Sequence, residues 1–337
     1  MAAVSVKDVA LRAGVSVGTV SNVMNHPEKV ASESMARVQA AIDELGFIRN
    51  DAARQLRDGR STTIGLVVLD VRNPFFTDIA RGAEDRASEV GLTVTLGNSD
   101  ENSVREARYL DLFEQQRVHG VLISPLGDIT TRLATLRSRG IPAVLVDRSS
   151  PDRSFSSVSV DDVAGGRMAG EHLIEQGRRR LAFVGGPMGI RQVADRLEGA
   201  RQAVAAHPGV TLEVVQIAAL SVIAGREAGH AIVDRREQPD AIFAANDLVA
   251  MGVLQALMMR GADVRVPDDI ALIGYDDIDF ASAAVVPLSS IRQPAGLMGQ
   301  TAVEILLDEA DDPAIARRQI EFQPELVVRQ STVPHAQ

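Results

Sequence analysis

The sequence predicts an α/β protein with a three-helix head, a short linker and two similar lobes, each built on a doubly wound parallel sheet. Three observations predict this fold class. Residues 5–47 show a helical apolar pattern, residues 48–61 show no apolar period, and from Thr63 onward short apolar runs alternate with helical stretches. We therefore assign residues 1–48 to the head, 49–61 to the linker and 62–330 to the lobes.

Three short helices account for the head. Capping and apolar residues place them over Val6–Ala13, from Ser16 to about Asn25, and from about Ser32 to Leu45. Ser16 is a suitable cap for the second helix, and Gly14 lies in the tight turn that precedes it. Two helices joined by a tight turn and followed by a third form the helix-turn-helix plan.

The second helix is predicted to turn small and polar side chains outward. Such side chains let a helix lie deep in the major groove of DNA, where Asn can pair with adenine and hydroxyls can bond phosphates. The same pattern also fits the solvated face of an ordinary helical hairpin. The candidate DNA contacts on this helix are Ser16, Val17, Gly18, Thr19, Ser21, Asn22 and Asn25.

The linker contains one helical stretch, Asp51–Asp58, which is too short to be stable alone because helix nucleation is costly. Leu56 is its one large apolar residue, and arginines including Arg54 flank it. An apolar wedge among arginines suits insertion into the minor groove, although Leu56 could instead pack on the lobes.

Charge and composition narrow the classes of function. Residues 1–61 carry a formal charge of +1 within a chain of net charge −10, which favours docking on DNA through one end. With no Cys, the chain has no disulfide or thiolate metal site. The first 25 residues lack an apolar core and no run reaches the length of a membrane helix, so we expect a cytoplasmic, nucleoid-associated protein that makes no membrane contact.

Eight apolar runs after residue 62 are predicted to be strands of parallel sheets covered on both faces by helices. Eight strands, each followed by a helix, are more than we expect in one sheet of a single domain, which indicates two lobes. The runs are Ile64–Leu69, Leu92–Leu96, Gly120–Ser124, Ala143–Val146, Leu181–Val184, Leu212–Ile217, Ala241–Ala244 and Ile270–Gly274.

Several motifs, in order along residues 4–330, closely resemble those of the lactose-repressor (LacI) family. The beginning of the chain, VKDVALRAGVSVGTVSNVMN over residues 6–25, resembles that family's helix-turn-helix, and NDAARQLR over residues 50–57 resembles its hinge helix. Further matches are Ile64-Gly-Leu-Val-Val, Asn73-Pro-Phe-Phe76, Gly120-Val-Leu-Ile, Arg196-Leu-Glu-Gly199, Ala245-Asn-Asp247, Pro267-Asp-Asp-Ile-Ala-Leu-Ile-Gly-Tyr-Asp276 and Ile291-Arg-Gln-Pro294.

The resemblance implies a transcriptional repressor that binds a palindromic operator as a homodimer and responds to a small effector. It implies that Ala53, Arg54 and Leu56 of the hinge helix contact DNA. It also implies a sensor like the periplasmic sugar-binding proteins, with lobe 1 at about 62–160 plus 291–322 and lobe 2 at about 161–290 plus 323–330. No cofactor or metal is expected.

Most candidate effector contacts lie just after the predicted strands, because parallel sheets bind ligands at the carboxyl ends of their strands. Arg196 lies early in a helix after the Gly185-Gly-Pro187 turn, and Gln192 is a candidate because the resemblance places it in a loop that the family varies. Carboxylates, amides and Arg suit the hydroxyls of a sugar or polyol, and Phe can stack on its ring. Six of the candidates also have a structural alternative. Asn246 could cap a helix, Asp276 could cap or brace a turn, the two arginines could be ion-paired braces between lobes, and the two phenylalanines could belong to the core. The candidates are Asn73, Phe75, Phe76, Asp147, Arg148, Gln192, Arg196, Asn246 and Asp276.

Two other classes of function are less compatible with the sequence. A solute-binding protein that serves a transporter would have a secretory signal and would lack the head. An enzyme is disfavoured because the chain has no glycine-rich nucleotide loop, no nucleophile elbow and no histidines at metal-binding spacing. Asp276 and Asp277 are adjacent and should point apart, so they do not form a catalytic carboxylate pair.

Overall fold

The computed structural model describes residues 4–47, 61–150, 152–259 and 264–333. The chain divides into two compact units, Met1–Arg60 and Ser61–Gln337. The predicted linker helix, with Ala53, Arg54 and Leu56, lies outside the described residues. No helix in the described ranges is long and apolar enough to cross a membrane.

Over residues 4–47, the head consists of three α-helices and one turn of 3-10 helix around a small core. Its elements are α1 (Val6–Ala13), α2 (Val17–Asn25), the 3-10 turn (Pro27–Lys29) and α3 (Ser32–Leu45). Val9, Val20 and Val38 are fully buried between the helices. Ser16 caps α2 as predicted, since its Oγ accepts a hydrogen bond from the Thr19 amide at 3.0 Å.

The second unit begins with alternating strands and helices that belong to lobe 1. They are β1 (Thr63–Val68), α4 (Pro74–Glu89), β2 (Thr93–Asn98), α5 (Ser103–Gln115), β3 (Gly120–Ile123), α6 (Thr130–Ser138), β4 (Ala143–Val146) and β5 (Ser156–Val160). The chain then enters lobe 2.

Lobe 2 repeats the same alternation. Its elements are α7 (Asp162–Glu175), β6 (Arg180–Gly185), α8 (Arg191–Ala205), β7 (Thr211–Gln216), α9 (Val222–Val233), β8 (Ala241–Ala244), α10 (Asp247–Met259), β9 (Ala271–Asp276), α11 (Asp279–Ser282) and β10 (Ser289–Arg292). Three elements remain: α12 (Ala295–Asp311), β11 (Gln319–Phe322) and β12 (Glu325–Val327).

Each lobe is built on one six-stranded sheet. The strand order is β11-β5-β4-β3-β1-β2 in lobe 1, where every pair is parallel, and β12-β10-β9-β8-β6-β7 in lobe 2, where only β12 is antiparallel. The predicted α/β architecture with two parallel-sheet lobes is therefore confirmed. All eight predicted strands are present, and β5, β10, β11 and β12 are strands that the apolar pattern missed.

The chain passes between the lobes three times, after β5, β10 and β11. Strand β10 pairs with β9 as far as Arg292, so β10 belongs to lobe 2 and the second passage comes after Arg292. The resemblance had implied that this passage comes before residue 291. Helix α12 then packs on α4, and β11 pairs with β5, which completes lobe 1. Both lobes therefore contain segments from distant parts of the chain.

Glycines bring paired helices into close contact. A Cβ atom on Gly166 of α7 would lie 2.0 Å from the backbone oxygen of Arg196, and one on Gly199 of α8 would lie 2.1 Å from that of Val163. Only glycine permits this approach, because a side chain at either position would overlap the facing backbone. The close contact fixes α8, and with it Arg196, against the start of α7.

Candidate functional site

A cavity of about 30 Å³ lies between the carboxyl ends of the two sheets, and we call it the inner cavity. At this lobe separation it has space for one or two water molecules. Lobe 1 lines it with Leu69, Asp70, Asn73, Phe75, Phe76, Glu101 and Asp147. Lobe 2 lines it with Ile190, Gln192, Val193, Arg196, Leu220, Asn246 and Asp276.

Arg196 is the buried cation of this cavity. Its Nε donates to Oδ1 of Asp162 at 2.7 Å, its Nη1 donates to the Ala245 carbonyl at 2.8 Å, and its guanidinium stacks 3.7 Å above the Tyr275 ring. Burial alone would lower the pKa of Arg196, but the surrounding carboxylates, Asp162 foremost, hold it above the ordinary value. Arg196 thus stays charged, with its guanidinium plane fixed.

Asp276 connects both lobes at the end of β9. Its Oδ2 accepts a hydrogen bond from Nδ2 of Asn73 in lobe 1 at 2.9 Å, and its Oδ1 accepts one from Nε2 of Gln293 at 2.8 Å. Burial raises the pKa of Asp276 to about 6. Its φ of 104° is a conformation that non-glycine residues rarely adopt, which is common at functional sites.

Asp147 faces Asp276 from the end of β4 in lobe 1. Its Oδ2 accepts a hydrogen bond from Nε2 of Gln192 in lobe 2 at 2.8 Å. Its Oδ1 is buried and has no hydrogen-bond partner among the described residues. Burial raises the pKa of Asp147 well above its usual range, and the negative charge of Asp162 raises it further. Oδ1 of Asp147 is therefore available to a ligand hydroxyl, which can donate to it or accept from it.

Phe75 and Phe76 form an apolar wall at the start of α4. Both are buried, with ring centroids 5.1 Å apart and planes at 64°. Oδ1 of Asn73 accepts a hydrogen bond from the Phe75 amide at 3.1 Å and so caps the helix. The rings belong to the hydrophobic core, as one interpretation of the sequence expected, and they also line the cavity, where contact with a ligand stays a prediction.

Eight of the nine predicted cleft residues line the inner cavity, and Arg148 does not. Asp147 has a positive φ of 58°, and its side chain points inward while Arg148 lies half-buried along two neighbouring cavities. Asn246 lines the inner cavity and also caps α10, because its Oδ1 accepts from the Val249 amide at 2.9 Å. As expected, Asp276 and Asp277 point apart, since Asp277 pairs with arginines instead.

Sequence reasoning missed Asp162, the ion-pair partner of Arg196, and Gln293, the partner of Asp276. Asp162 follows the unrecognised strand β5, so identifying that strand would have found it. Gln293 lies directly after β10, in the Ile291–Pro294 motif that resembles the family. Glu101, Leu220 and Ile190 also line the inner cavity.

The head presents α2 to solvent. Ser16, Val17, Gly18 and Asn22 are exposed, and Thr19 and Ser21 are half-buried, so six of the seven candidates are accessible in part or in full. The side chain of Asn25 lies outside the described residues. In the parts of the chain that the structure describes, no group of three or more His, Asp or Glu side chains is arranged to hold a metal ion.

Comparisons with known proteins agree with this architecture. Residues 5–50 match the bacterial regulatory proteins of the lacI family, and residues 170–332 match the periplasmic binding protein-like domain. The HTH-type transcriptional repressor PurR of Photobacterium profundum is 34% identical over 331 residues, which cover 97% of this chain and 98% of that protein. The ribose operon repressor of Escherichia coli (strain K12) is 33% identical over 335 residues, which cover 97% and 99%.

Solved structures share the fold over the whole chain. The complex of the transcriptional regulator CelR with cellobiose has a TM-score of 0.72 and 32% identity, and covers 97% of this chain and 99% of its own. The lac repressor dimer bound to operator and the anti-inducer ONPF has a TM-score of 0.84 and 28% identity, and covers 98% and 100%.

A helix-turn-helix head and a two-lobed effector-binding fold define a ligand-responsive, DNA-binding transcription regulator. The chain belongs to the lacI family of bacterial regulatory proteins, which confirms the resemblance seen in its motifs.

Proposed function

We propose that this regulator is a repressor that binds a palindromic operator as a homodimer, and that a small neutral sugar or polyol in the inner cavity controls its operator affinity. One observation carries the proposal: polar side chains of both lobes converge on the inner cavity, where Asp147 has a buried acceptor without a partner among the described residues. The names of the relatives, which are repressors, support the direction of regulation.

The charges of the cavity favour a neutral ligand with many hydroxyls. Among the described residues that line it, Arg196 is the single cation, whereas Asp70, Glu101, Asp147 and Asp276 are potential anions. An anionic effector would be repelled by these carboxylates, while hydroxyl groups can donate to them and accept from Arg196. The phenylalanine wall supplies the apolar surface on which a sugar ring can stack.

The ligand would act by changing the lobe separation. Asn73–Asp276 and Gln192–Asp147 are hydrogen bonds between the lobes, so a ligand that replaces them alters the energy of closure. The linker sequence predicts a helix that is marginal on its own, and a small change in linker spacing within a dimer can decide whether such a helix forms.

On the DNA side, Val17, Gly18 and Asn22 are the side chains we expect at base edges. One recognition helix reads only a few base pairs, so specificity requires two half-sites related by the two-fold axis of a dimer. Leu56 would insert at the operator centre, where a flexible pyrimidine–purine step costs least to unstack.

The relatives are named as repressors, and we infer that this chain is likewise not an enzyme and acts in the cytoplasm, where its DNA is.

The proposed function is tested by measuring operator affinity with and without a sugar found by thermal-shift screening of the full-length protein. A responsive sugar should change operator affinity about 5–150-fold, the usual range of allosteric coupling. Sugar binding that leaves operator affinity unchanged contradicts the allosteric part of the proposal. Equal affinity for a half-site and a full palindrome contradicts the dimeric part.

A further inference from the structure

A second cavity, of about 190 Å³, lies between the same two lobes, and we call it the outer chamber. It borders the passage of the chain from β5 to α7 and shares Asp147 and Gln192 with the inner cavity. These two side chains, one from each lobe, lie between the two spaces, as does the ion pair of Arg196 with Asp162.

Gln192 and Asp147 form a contact between the lobes at this boundary. Nε2 of Gln192 donates to Oδ2 of Asp147 at 2.8 Å and also to the backbone oxygen of the same residue. Rotation of the Gln192 side chain, or a slight opening of the lobes, would break this contact and join the two spaces. A ligand that donates to Asp147 from either side would compensate for the lost hydrogen bonds.

The outer chamber contains polar groups that form no hydrogen bond within the described protein. Arg148 is half-buried and its charge acts on Glu106 and Asp128 without a hydrogen bond or ion pair, and the carboxylate of Glu321 is exposed to solvent. On the opposite wall, Nε of Arg191 donates to both oxygens of Asp195 at 2.8 and 2.9 Å, which leaves its two Nη groups available to a ligand. Donors and an acceptor thus face each other across the chamber.

Apart from Glu321 and Oδ1 of Asp147, its carboxylate groups are already engaged. Oδ1 of Asp161 accepts from the Ala164 amide at 2.9 Å, and Asp162 holds Arg196. With more carboxylates than arginines in its walls, the outer chamber disfavours an anionic group and suits hydroxyls. This chemistry matches that of the inner cavity, although the space is several times larger.

We propose that the effector spans both spaces when the lobes separate to admit it, so that it is a disaccharide or glycoside with one ring in the enlarged inner cavity and a second hydroxylated ring in the outer chamber. The inference rests on the proposed function and narrows its ligand class. It also gives Arg148 a ligand-facing position, although that residue does not line the inner cavity.

The first test compares disaccharides with the monosaccharides they contain. Full-length protein is titrated by calorimetry with glucose, galactose, xylose and ribose, and with cellobiose, maltose, lactose and xylobiose. We expect the best disaccharide to bind at least tenfold more tightly than any of its constituent sugars. A monosaccharide that binds as tightly as every disaccharide containing it overturns the two-ring inference but leaves the proposed function intact. If no sugar in either set binds, the proposed effector class fails and the inference fails with it.

Arg191→Ala supplies the residue-level test and should lower the disaccharide-to-monosaccharide affinity ratio at least fivefold. Arg167→Ala is the matched control, because Arg167 also forms an exposed i,i+4 ion pair, with Glu171 at 3.3 Å, but lies outside the outer chamber. Equal ratios in the two variants would overturn the assignment of the second ring to this chamber.

A labelling experiment locates the second ring directly. The chain has no Cys, so Ser149→Cys places a single thiol at the edge of the outer chamber, and Ser138→Cys places one on an exposed part of α6. The best-binding disaccharide should slow maleimide labelling at position 149 at least threefold and leave labelling at position 138 unchanged. Its parent monosaccharide should protect neither thiol. Unprotected labelling at position 149 in the presence of saturating disaccharide contradicts the proposal.

Discussion

Asp276 lowers the stability of the folded sensor at neutral pH, because it is buried as an anion. Its pKa is about 6 in the folded protein and 3.8 for an ordinary Asp, and this difference corresponds to about 3 kcal/mol. Since the folded-state pKa is raised, the carboxyl group is protonated in both states below about pH 4 and imposes no penalty there. The penalty develops as pH rises from 4 to 6 and is complete above pH 6. The value of about 6 already includes the attraction between Arg196 and the charged form of Asp276, which lowers the pKa.

Asp276→Asn should therefore stabilise the protein at pH 7.5. Asn has nearly the same size and tolerates positive φ, but it can accept only one of the two hydrogen bonds donated by Asn73 and Gln293, which costs about 1 kcal/mol. The expected net gain is about 2 kcal/mol at pH 7.5 and roughly zero at pH 4.5. The same variant should lose effector affinity by at least about tenfold, since it removes a charged hydrogen-bond acceptor.

Asp277→Asn is a control at the neighbouring position with the opposite expected sign. Asp277 accepts from Nε of Arg292 at 2.8 Å and from Nη1 of Arg329 at 2.6 Å, and its side chain is 4% exposed. Loss of these ion pairs should destabilise the protein by about 3 kcal/mol at pH 7.5. Urea denaturation followed by circular dichroism at both pH values measures all three proteins. A less stable Asp276→Asn variant at pH 7.5, or a stability difference from wild type that does not change with pH, would refute the reasoning.

Three further predictions concern the head and the helix pairs. Ser16→Ala should lower the stability of the head by about 1 kcal/mol, measured by thermal denaturation of the isolated 1–60 segment, because the amide of Thr19 loses its cap; an unchanged melting temperature would contradict this. Asn22→Ala should change base preference at one operator position by about 1–3 kcal/mol in binding to a set of single-base operator variants, whereas a uniform loss would indicate phosphate contact. Gly199→Ala should cost about 1–3 kcal/mol in urea denaturation, because its Cβ would overlap the Val163 carbonyl; wild-type stability would show that α7 and α8 can separate freely.

The strands that sequence analysis missed are those whose residues do not form apolar runs. Ser156–Val160 alternates serine with valine, Ser289–Arg292 begins with two serines, and the last two strands are short and carry charged residues. All four lie at or next to the sheet edge where the chain passes between lobes, and their backbone pairing is determined by contacts with distant segments. A local apolar pattern therefore gives no information about them.

The same limitation explains why the predicted set of site residues was incomplete. Residues after recognised strands, such as Asn73, Asp147 and Asp276, were predicted to lie at the cleft and do line the inner cavity. Asp162 follows unrecognised β5 and was missed. Which way Asp147 and Arg148 point depends on a positive φ at Asp147, which the residue type permits but does not require.

The late position of α12, β11 and β12 in the chain affects how the protein is made on the ribosome. Lobe 1 lacks α12 and β11, and lobe 2 lacks β12, until about residue 327 has been synthesised. At about 5–20 residues per second, the head emerges roughly 10–60 s before either sheet can be completed. Newly made chains can therefore fold their DNA-binding unit while still unable to respond to effector. During that interval the unpaired edges of β5 and β10 would be open to chaperones or to a neighbouring nascent chain.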